Sequence, residues 1–585
     1  MAFEFGPFRL DEPGRALRLA DREVPLQPRV FDLLVFLIHN RDRVVAKDEL
    51  LDTLWSGVTV TDNSLQRAVS SLRSALREGG AADAIRNFSR NGYRFVWPQP
   101  GNDAPQATQS AAVGGLEAAR LAVLDQRWAD AGGHYKAADQ AAPLEGKDLD
   151  AWALALLCLG QPSEAIPVLV RAVGAHTKAG QNGAAAESAV LLSALHLERG
   201  EGAVSKGWLA RSEGLTAGEP ESAAKGLTLW MRSRIAAFDS APEQAVGFAD
   251  AAYDLGRRRG SGKVEALGLM YRGFFKLSLG DTRAGLADQD HAAALALASN
   301  IDPITGGTLY CNILWTCRTF GDWARANQWT LGYQQFCRES GMELSGSCQL
   351  HRAEVLGVRG SLQDALAHIK DALSRLASDA PWAVGDAHRV LGDIHAAIGN
   401  TDLARAAYEK CYALDWNPEP GNAMLLLELG EPEAAYASLE GSLIGQSWWT
   451  LQRQGVLLAH LAYVAARAGH FDRAQALIAD LAGNEERWPM PSIRALTNEA
   501  AALLASRHSG DARAALRHMH LARQLWTSAE SRLNATRLRL EIAALQLDLG
   551  EAAGAATEIR AAAAVAKQLG SDKLQRRAAA LQRRL

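Results

Sequence analysis

Residues Val44 to Trp97 read VVAKDELLDTLWSGVTVTDNSLQRAVSSLRSALREGGAADAIRNFSRNGYRFVW. Between Asp62 and Arg77 the apolar residues Leu65, Ala68, Val69, Leu72 and Leu76 fall three or four apart, which places them on one face of a helix. The opposite face carries Asn63, Arg67, Ser70 and Ser74, with Ser64 and Ser71 beside them. Since each residue turns the helix by about 100°, Arg67 points away from the apolar stripe, while Gln66, Arg73 and Arg77 lie along one flank. Asp62 or Asn63 can cap the start, and Asn63 with Gln66 makes a capping-box-like pair. This outer surface suits a DNA groove.

Upstream, Lys47 to Trp55 reads as a second short helix with Leu50, Leu51 and Leu54 inward, broken by Ser56-Gly57 before a loop over Val58 to Thr61. The order is helix, turn, helix. Downstream, Ile85 to Ser89 and Tyr93 to Trp97 read as strands joined through Arg90-Asn91-Gly92, because Asn-Gly favours the positive backbone angles of a tight hairpin. A hairpin after such a helix is a wing, with Arg90 at its tip and Arg86 and Arg94 on its strands. From Asn63 to Trp97 six arginines face only Glu78 and Asp83, although residues 1–100 balance fourteen basic against thirteen acidic side chains. Basic charge is concentrated where a phosphate backbone would lie. Trp55, Leu50 and Phe36 are expected to be plain core.

The words PLQPRVFDLLVFLIHNRDRVVAKDELLDTLW, DNSLQRAVSSLRSAL and NGYRF, in that order and spacing, resemble the OmpR/PhoB-type winged-helix effector domain over about the first hundred positions. FEFGPFRL, ALRLA and VPL, between Phe3 and Leu26, match the short strands that precede the first helix in that family. The resemblance implies specific binding to double-stranded DNA, the third helix in the major groove, the wing in the adjacent minor groove, and the interhelical loop facing RNA polymerase. A homodimer on DNA is one arrangement open to such a domain. Carried over by position, Arg67, Ser71 and Arg73 fall at DNA-contacting places and Tyr93 matches the wing aromatic. Many members place several basic residues in the middle of this helix, where Ser70 and Ser71 stand here, so phosphate contacts are expected either to be fewer or to shift toward Arg73 and Arg77. The full expected interface is Asn63, Ser64, Arg67, Ser70, Ser71, Arg73, Ser74, Arg77, Arg90 and Tyr93, with Arg67 reaching a base edge, Arg73 and Arg77 phosphates, and Arg90 the minor groove.

At 585 residues the chain exceeds one core, and its net charge of −4 with 22% charged residues describes an ordinary soluble protein. No run of about 18 apolar residues offers a membrane span. The chain opens on a strand pattern without a basic-then-apolar leader, so a cytoplasmic protein without membrane attachment is expected. Six cysteines are dispersed without a C-x-x-C pair, and read as buried reduced thiols.

Pro98 to Gly115 lacks hydrophobic periodicity and reads as a linker. From Leu116 onward the pattern is helical and periodic. Turn words such as LGQPSEA, SLGDTRA, AIGNTDLARA and RAGHFDRA recur with their turn residue at 160, 200, 240, 280, 321, 360, 399, 430, 469, 510 and 550, near 40 apart save one step of 31. Each places Gly, or Ser240 in one case, at a helix end, then a polar cap, then a second helix opening with an Ala that lets two helices pack closely. Helix pairs that cannot bury their own faces stack on their neighbours into a solenoid. The words resemble tetratricopeptide repeats, most clearly AIGNTDLARAAYEKCYALDWNP (Ala397 to Pro418), although that family's period is about 34. Gln126 to Pro143 reads as a first, irregular repeat.

Enzyme signals are weak. GRRRGSGKV (Gly256 to Val264) has the wrong glycine spacing for a phosphate loop, Val264 in place of Ser/Thr, and no preceding strand. His518 and His520 sit two apart on a helix and cannot face one metal together. No catalytic site, metal or cofactor is expected. Of fifteen tryptophans most should be repeat core, while Trp448-Trp449 cannot both point the same way, so at least one is expected in the groove. The expected fold is a small α+β winged-helix domain (1–97), a linker (98–115) and an all-α, tetratricopeptide-like superhelical solenoid (116–585). The expected function is transcription regulation, activation rather than repression, with the repeat groove sensing a protein or small-molecule ligand. A repeat scaffold for protein assembly, tethered to DNA, is the alternative.

Overall fold

The computed structural model describes residues 2–5, 7–20, 22–41, 43–54, 62–77, 81, 84–88, 92–97, 107–298, 301–445 and 450–585. The chain divides into two compact units, Met1–Leu144 and Glu145–Leu585.

The first unit opens with an antiparallel meander, β1 (Ala2–Phe5), β2 (Phe8–Asp11), β3 (Ala16–Leu19) and β4 (Arg22–Val24), paired in sequence order. Alternation fixes which face is buried. Leu10 lies opposite Leu17, and Leu17 opposite Val24, with all three buried. Helix α1 (Pro28–His39) starts on a proline, whose missing N–H costs nothing at a helix start, and buries Val30, Phe31, Leu33, Leu34, Leu37 and Ile38. Helix α2 (Lys47–Leu54) buries Leu50 and Leu54, and α3 spans Asp62–Arg77 as the spacing predicts. Leu65, Ala68, Val69, Leu72 and Leu76 are all buried in one core with the meander, and Phe36 and Leu51 pack half-buried against it. The hairpin strands are β5 (Ile85–Phe88) and β6 (Gly92–Phe95). Trp55, the loop Val58–Thr61, the hairpin turn with Arg90, and Trp448-Trp449 lie outside the described residues.

The stretch read as a linker contains part of a helix. Residues 98–106 are outside the described set, but a helix runs from Ala107 to Leu124, pairs with a second from Trp128 to Ala141, and falls in the first compact unit. Small alanines hide this helix, because they satisfy a helical backbone without a strong apolar stripe.

Among the described residues every regular element from Ala107 onward is helical. All eleven turn positions named from the sequence have a left-handed backbone, from Gly160 (φ 67°) and Ser240 (φ 62°) to Gly550 (φ 78°). Five residues beyond each, the chain is small and fully enclosed. Ala165, Ala245, Ala326, Ala365, Ala404, Ala435, Ala474, Ala515 and Ala555 have no exposed surface, and Ser205 stands at the corresponding place after Gly200. A larger side chain there would hold the paired helices apart, so this position sets their close packing.

The solenoid then winds back on itself. Ser492 Oγ donates to the Gly321 carbonyl (2.6 Å), Ser531 Oγ to Val358 (3.3 Å) and Ser571 Oγ to Ala397 (2.7 Å), each joining residues 171 to 174 apart. Near one end Thr282 Oγ1 donates to the Arg487 carbonyl at 2.6 Å. Hydroxyls at helix starts of one superhelical turn thus satisfy carbonyls at helix ends of the turn before it. Leu277 and Phe320 share a core with Trp488, Ile493, Trp526 and Leu538 across the same seam. The expected open groove is therefore partly filled by the chain, and what remains is a cavity.

Candidate nucleic-acid interface

Burial of the apolar stripe of α3 turns its other face outward, and Ser70, Ser71 and Ser74 are exposed. Position 67 lies three, four and seven residues before them, on the same helical face. The side chains of Asn63, Ser64, Arg67 and Arg77 lie outside the described residues, as does Arg90. An α-helix about 10–12 Å across fits a major groove about 12 Å wide, and a serine face lets its backbone approach the bases closely.

Arg73 takes a different role from the one expected. Its Nε and Nη2 both donate to the Ile85 carbonyl, at 3.0 and 2.7 Å, and the side chain is half-buried. The guanidinium braces α3 against the first wing strand instead of reaching outward to a phosphate. A phosphate in solvent competes poorly with a carbonyl already held within reach by the fold.

Tyr93 is a second correction. It is buried, and its backbone N–H and C=O exchange 2.9 Å hydrogen bonds with Val45, so the strand segment at Val45 extends the wing. Its ring belongs to the buried core. Gly92 makes this approach possible. At φ +132°, a Cβ added there would sit 1.8 Å from the Val45 carbonyl oxygen. Phe95 stacks edge-on against Phe5 (5.0 Å between centroids) and Phe3 (6.0 Å), which fastens the wing to the meander.

Sequence reasoning named Arg86 and Arg94 without placing them in the interface, and the strand register brings them together. They are direct cross-strand partners on the face opposite Ile85 and Phe95. Like charges so placed repel, and an anion between them relieves the cost. Arg94 Nε donates to the Arg41 carbonyl (2.9 Å), and Arg41 itself caps Ile38 (3.0 Å) and lies over the Phe3 ring. Pairing register is the signal that could have found this site from sequence.

Against known proteins, residues 21–95 match the family described as "Transcriptional regulatory protein, C terminal". The chain is 33% identical over 96 residues to transcriptional regulator HilA of Salmonella typhi, covering 16% of this chain and 17% of that one. It is 34% identical over 89 residues to the phosphate regulon regulator PhoB of Rhizobium meliloti, covering 15% and 39%. The match thus spans well under half of either relative. Among solved structures, a Rap protein in complex with competence and sporulation factor aligns at 12% identity with a TM-score of 0.36, covering 66% of this chain and 99% of that one. Residues 21–95 are accordingly an OmpR/PhoB-type regulatory domain, carried in this chain together with a long array of helical repeats.

Proposed function

We propose that this protein is a cytoplasmic one-component transcription regulator that reads a promoter through its winged helix, activates through RNA polymerase, and is controlled by a protein or small-molecule ligand of its repeats. The exposed serine face of α3 in line with position 67, together with the cross-strand Arg86–Arg94 pair of the wing, carries the DNA-binding part of this reading. It sits in a domain whose relatives are transcriptional regulators.

Hydrogen bonding in the repeats favours regulation over catalysis. Ser188 Oγ donates to Asp150 Oδ1 and His176 Nε2 pairs with Asp150 Oδ2, both at 2.7 Å, so serine and imidazole share a carboxylate instead of forming a nucleophile and base. In the glycine-rich stretch Gly256 to Val264, Gly260 is a left-handed helix cap and Lys263 pairs with Asp302 at 3.1 Å.

The test is duplex binding by the full chain across about 50 to 200 mM salt. Affinity should fall with a log–log slope of about −0.9 per phosphate contacted. A flat response on every promoter-derived duplex refutes the proposal. Recovery of polymerase subunits with the DNA-bound protein tests activation, and recovery of an unrelated assembly in their place favours the scaffold alternative.

A further inference from the structure

The superhelical return leaves a cavity of about 630 Å³ in the repeat unit, within the range of drug-sized ligand sites. Apolar surface outweighs polar surface in its lining. One wall is a run of indoles, with Trp315 edge-on to Trp382 (5.8 Å between centroids) and Trp382 tilted against Trp416 (6.5 Å). The indole N–H groups of Trp315 and Trp416 are buried and have no hydrogen-bond partner among the described residues.

Among the described residues the enclosed charges on the lining are paired except at Arg453, while Asp415 stands exposed at the edge. Arg318 contacts Glu354 and, at 2.8 Å, Asp386. Arg389 contacts Asp386 (2.7 Å), Asp393 (2.8 Å) and Glu354 (2.9 Å). Arg537 meets Glu499 at 2.7 Å, and Lys573 meets Glu428. Arg453 donates only to the backbone carbonyl of Glu419 (2.7 Å), and among the described residues it has no carboxylate partner. Burial first, and the neighbouring Arg389 guanidinium second, pull its pKa down to about 10. Asp386 and Glu354 offset this only in part, so the guanidinium gains from an anion that enters the cavity.

We propose that this cavity binds a small apolar monocarboxylate, its carboxylate on Arg453 and its body, ring-bearing or aliphatic, against the wall formed by Trp315, Trp382 and Trp416. A monoanion is specified because Glu354, Asp386 and Asp393 stand close by, and a phosphate dianion would meet their repulsion. A planar guanidinium matches a carboxylate through two parallel hydrogen bonds. This rests on the reading of the repeats as a ligand sensor and gives that ligand a chemical class.

The experiment is isothermal titration of the full chain with 1-naphthaleneacetate, 4-phenylbutyrate and decanoate, each against its neutral amide. At least one acid should bind stoichiometrically, about tenfold or more tighter than its amide. R453Q should remove that preference by weakening the acid far more than the amide, and keep or raise the thermal midpoint. W382A should weaken acid and amide together. If no acid binds below about 1 mM, a weak-binding threshold on the affinity scale, if acid and amide bind alike, or if R453Q leaves acid affinity unchanged, the assignment is overturned. Tighter binding of a tetrapeptide acid of alanine, leucine and tryptophan than of all three acids also overturns the small-molecule assignment. Promoter output separates this from the sensor reading. Acid binding without any change in output keeps the site and sinks the sensor, whereas ligand-dependent output with R453Q behaving as wild type keeps the sensor and sinks the site.

Discussion

Arg73→Ala separates two roles that a surface arginine on a recognition helix can have. Arg73 places two donors on the Ile85 carbonyl, across the junction between α3 and β5. A hydrogen bond from a charged donor contributes about 1.5–3 kcal/mol when well buried. Arg73 is only half-buried, so about 1–2 kcal/mol is the appropriate loss. In a unit of this size that lowers the thermal midpoint by roughly 3–10 °C. Calorimetry of Met1–Leu144 would measure it, beside DNA titrations of the full chain at several salt concentrations. As a brace, Arg73→Ala destabilises the unit and loosens the wing while the salt slope stays the same. As a phosphate contact, it would leave the midpoint alone and reduce the slope by about 0.9. An unchanged midpoint with a reduced slope refutes the brace.

Arg67→Ala should cost roughly 1–3 kcal/mol on the cognate duplex and much less on a scrambled one, and an equal loss on both would mean that another face of α3 enters the groove. Gly92→Ala should destabilise the winged unit by more than about 2 kcal/mol, because a Cβ meets the Val45 carbonyl at a backbone angle side chains avoid; near-native urea unfolding would contradict that geometry. Burial raises the Asp393 carboxyl to about 6, whereas the unfolded chain titrates near its ordinary value of 3.8. The folded state therefore holds the extra proton between roughly pH 4 and 6, and stability falls as pH rises through that window. Asp393→Asn should relieve up to about 1–2 kcal/mol at pH 7.5 and little at pH 4, discounting for partial exposure; equal effects at both pH values would remove Asp393 as the cause.

Local periodicity made the winged domain and the repeats readable without a structure. The α3 stripe is a helical spacing that only one backbone can bury on one side, and all five residues named from it are core. The eleven turn positions were legible because a left-handed helix end selects glycine. The intervening reversals, at Gly180, Gly260, Gly341, Glu530 and Gly570 among others, carry the same backbone but less distinctive neighbours, so the sequence displayed one turn of each repeat and hid the other. What sequence could not give is what depends on residues far apart in the chain. Tyr93 looked like a wing contact until pairing with Val45 buried it, and Arg73 looked like a phosphate ligand until β5 brought the Ile85 carbonyl beneath it. The groove tryptophans were sought at Trp448-Trp449, outside the described residues, whereas Trp315, Trp382 and Trp416 line the cavity. That cavity exists because hydroxyls of one superhelical turn bond carbonyls about 171 to 174 residues earlier, and no local pattern records a closure over that distance. Helix and turn are fixed by forces within a few residues, whereas the guanidinium that has no carboxylate partner among the described residues, Arg453, is the outcome of which distant side chains the superhelix brings together.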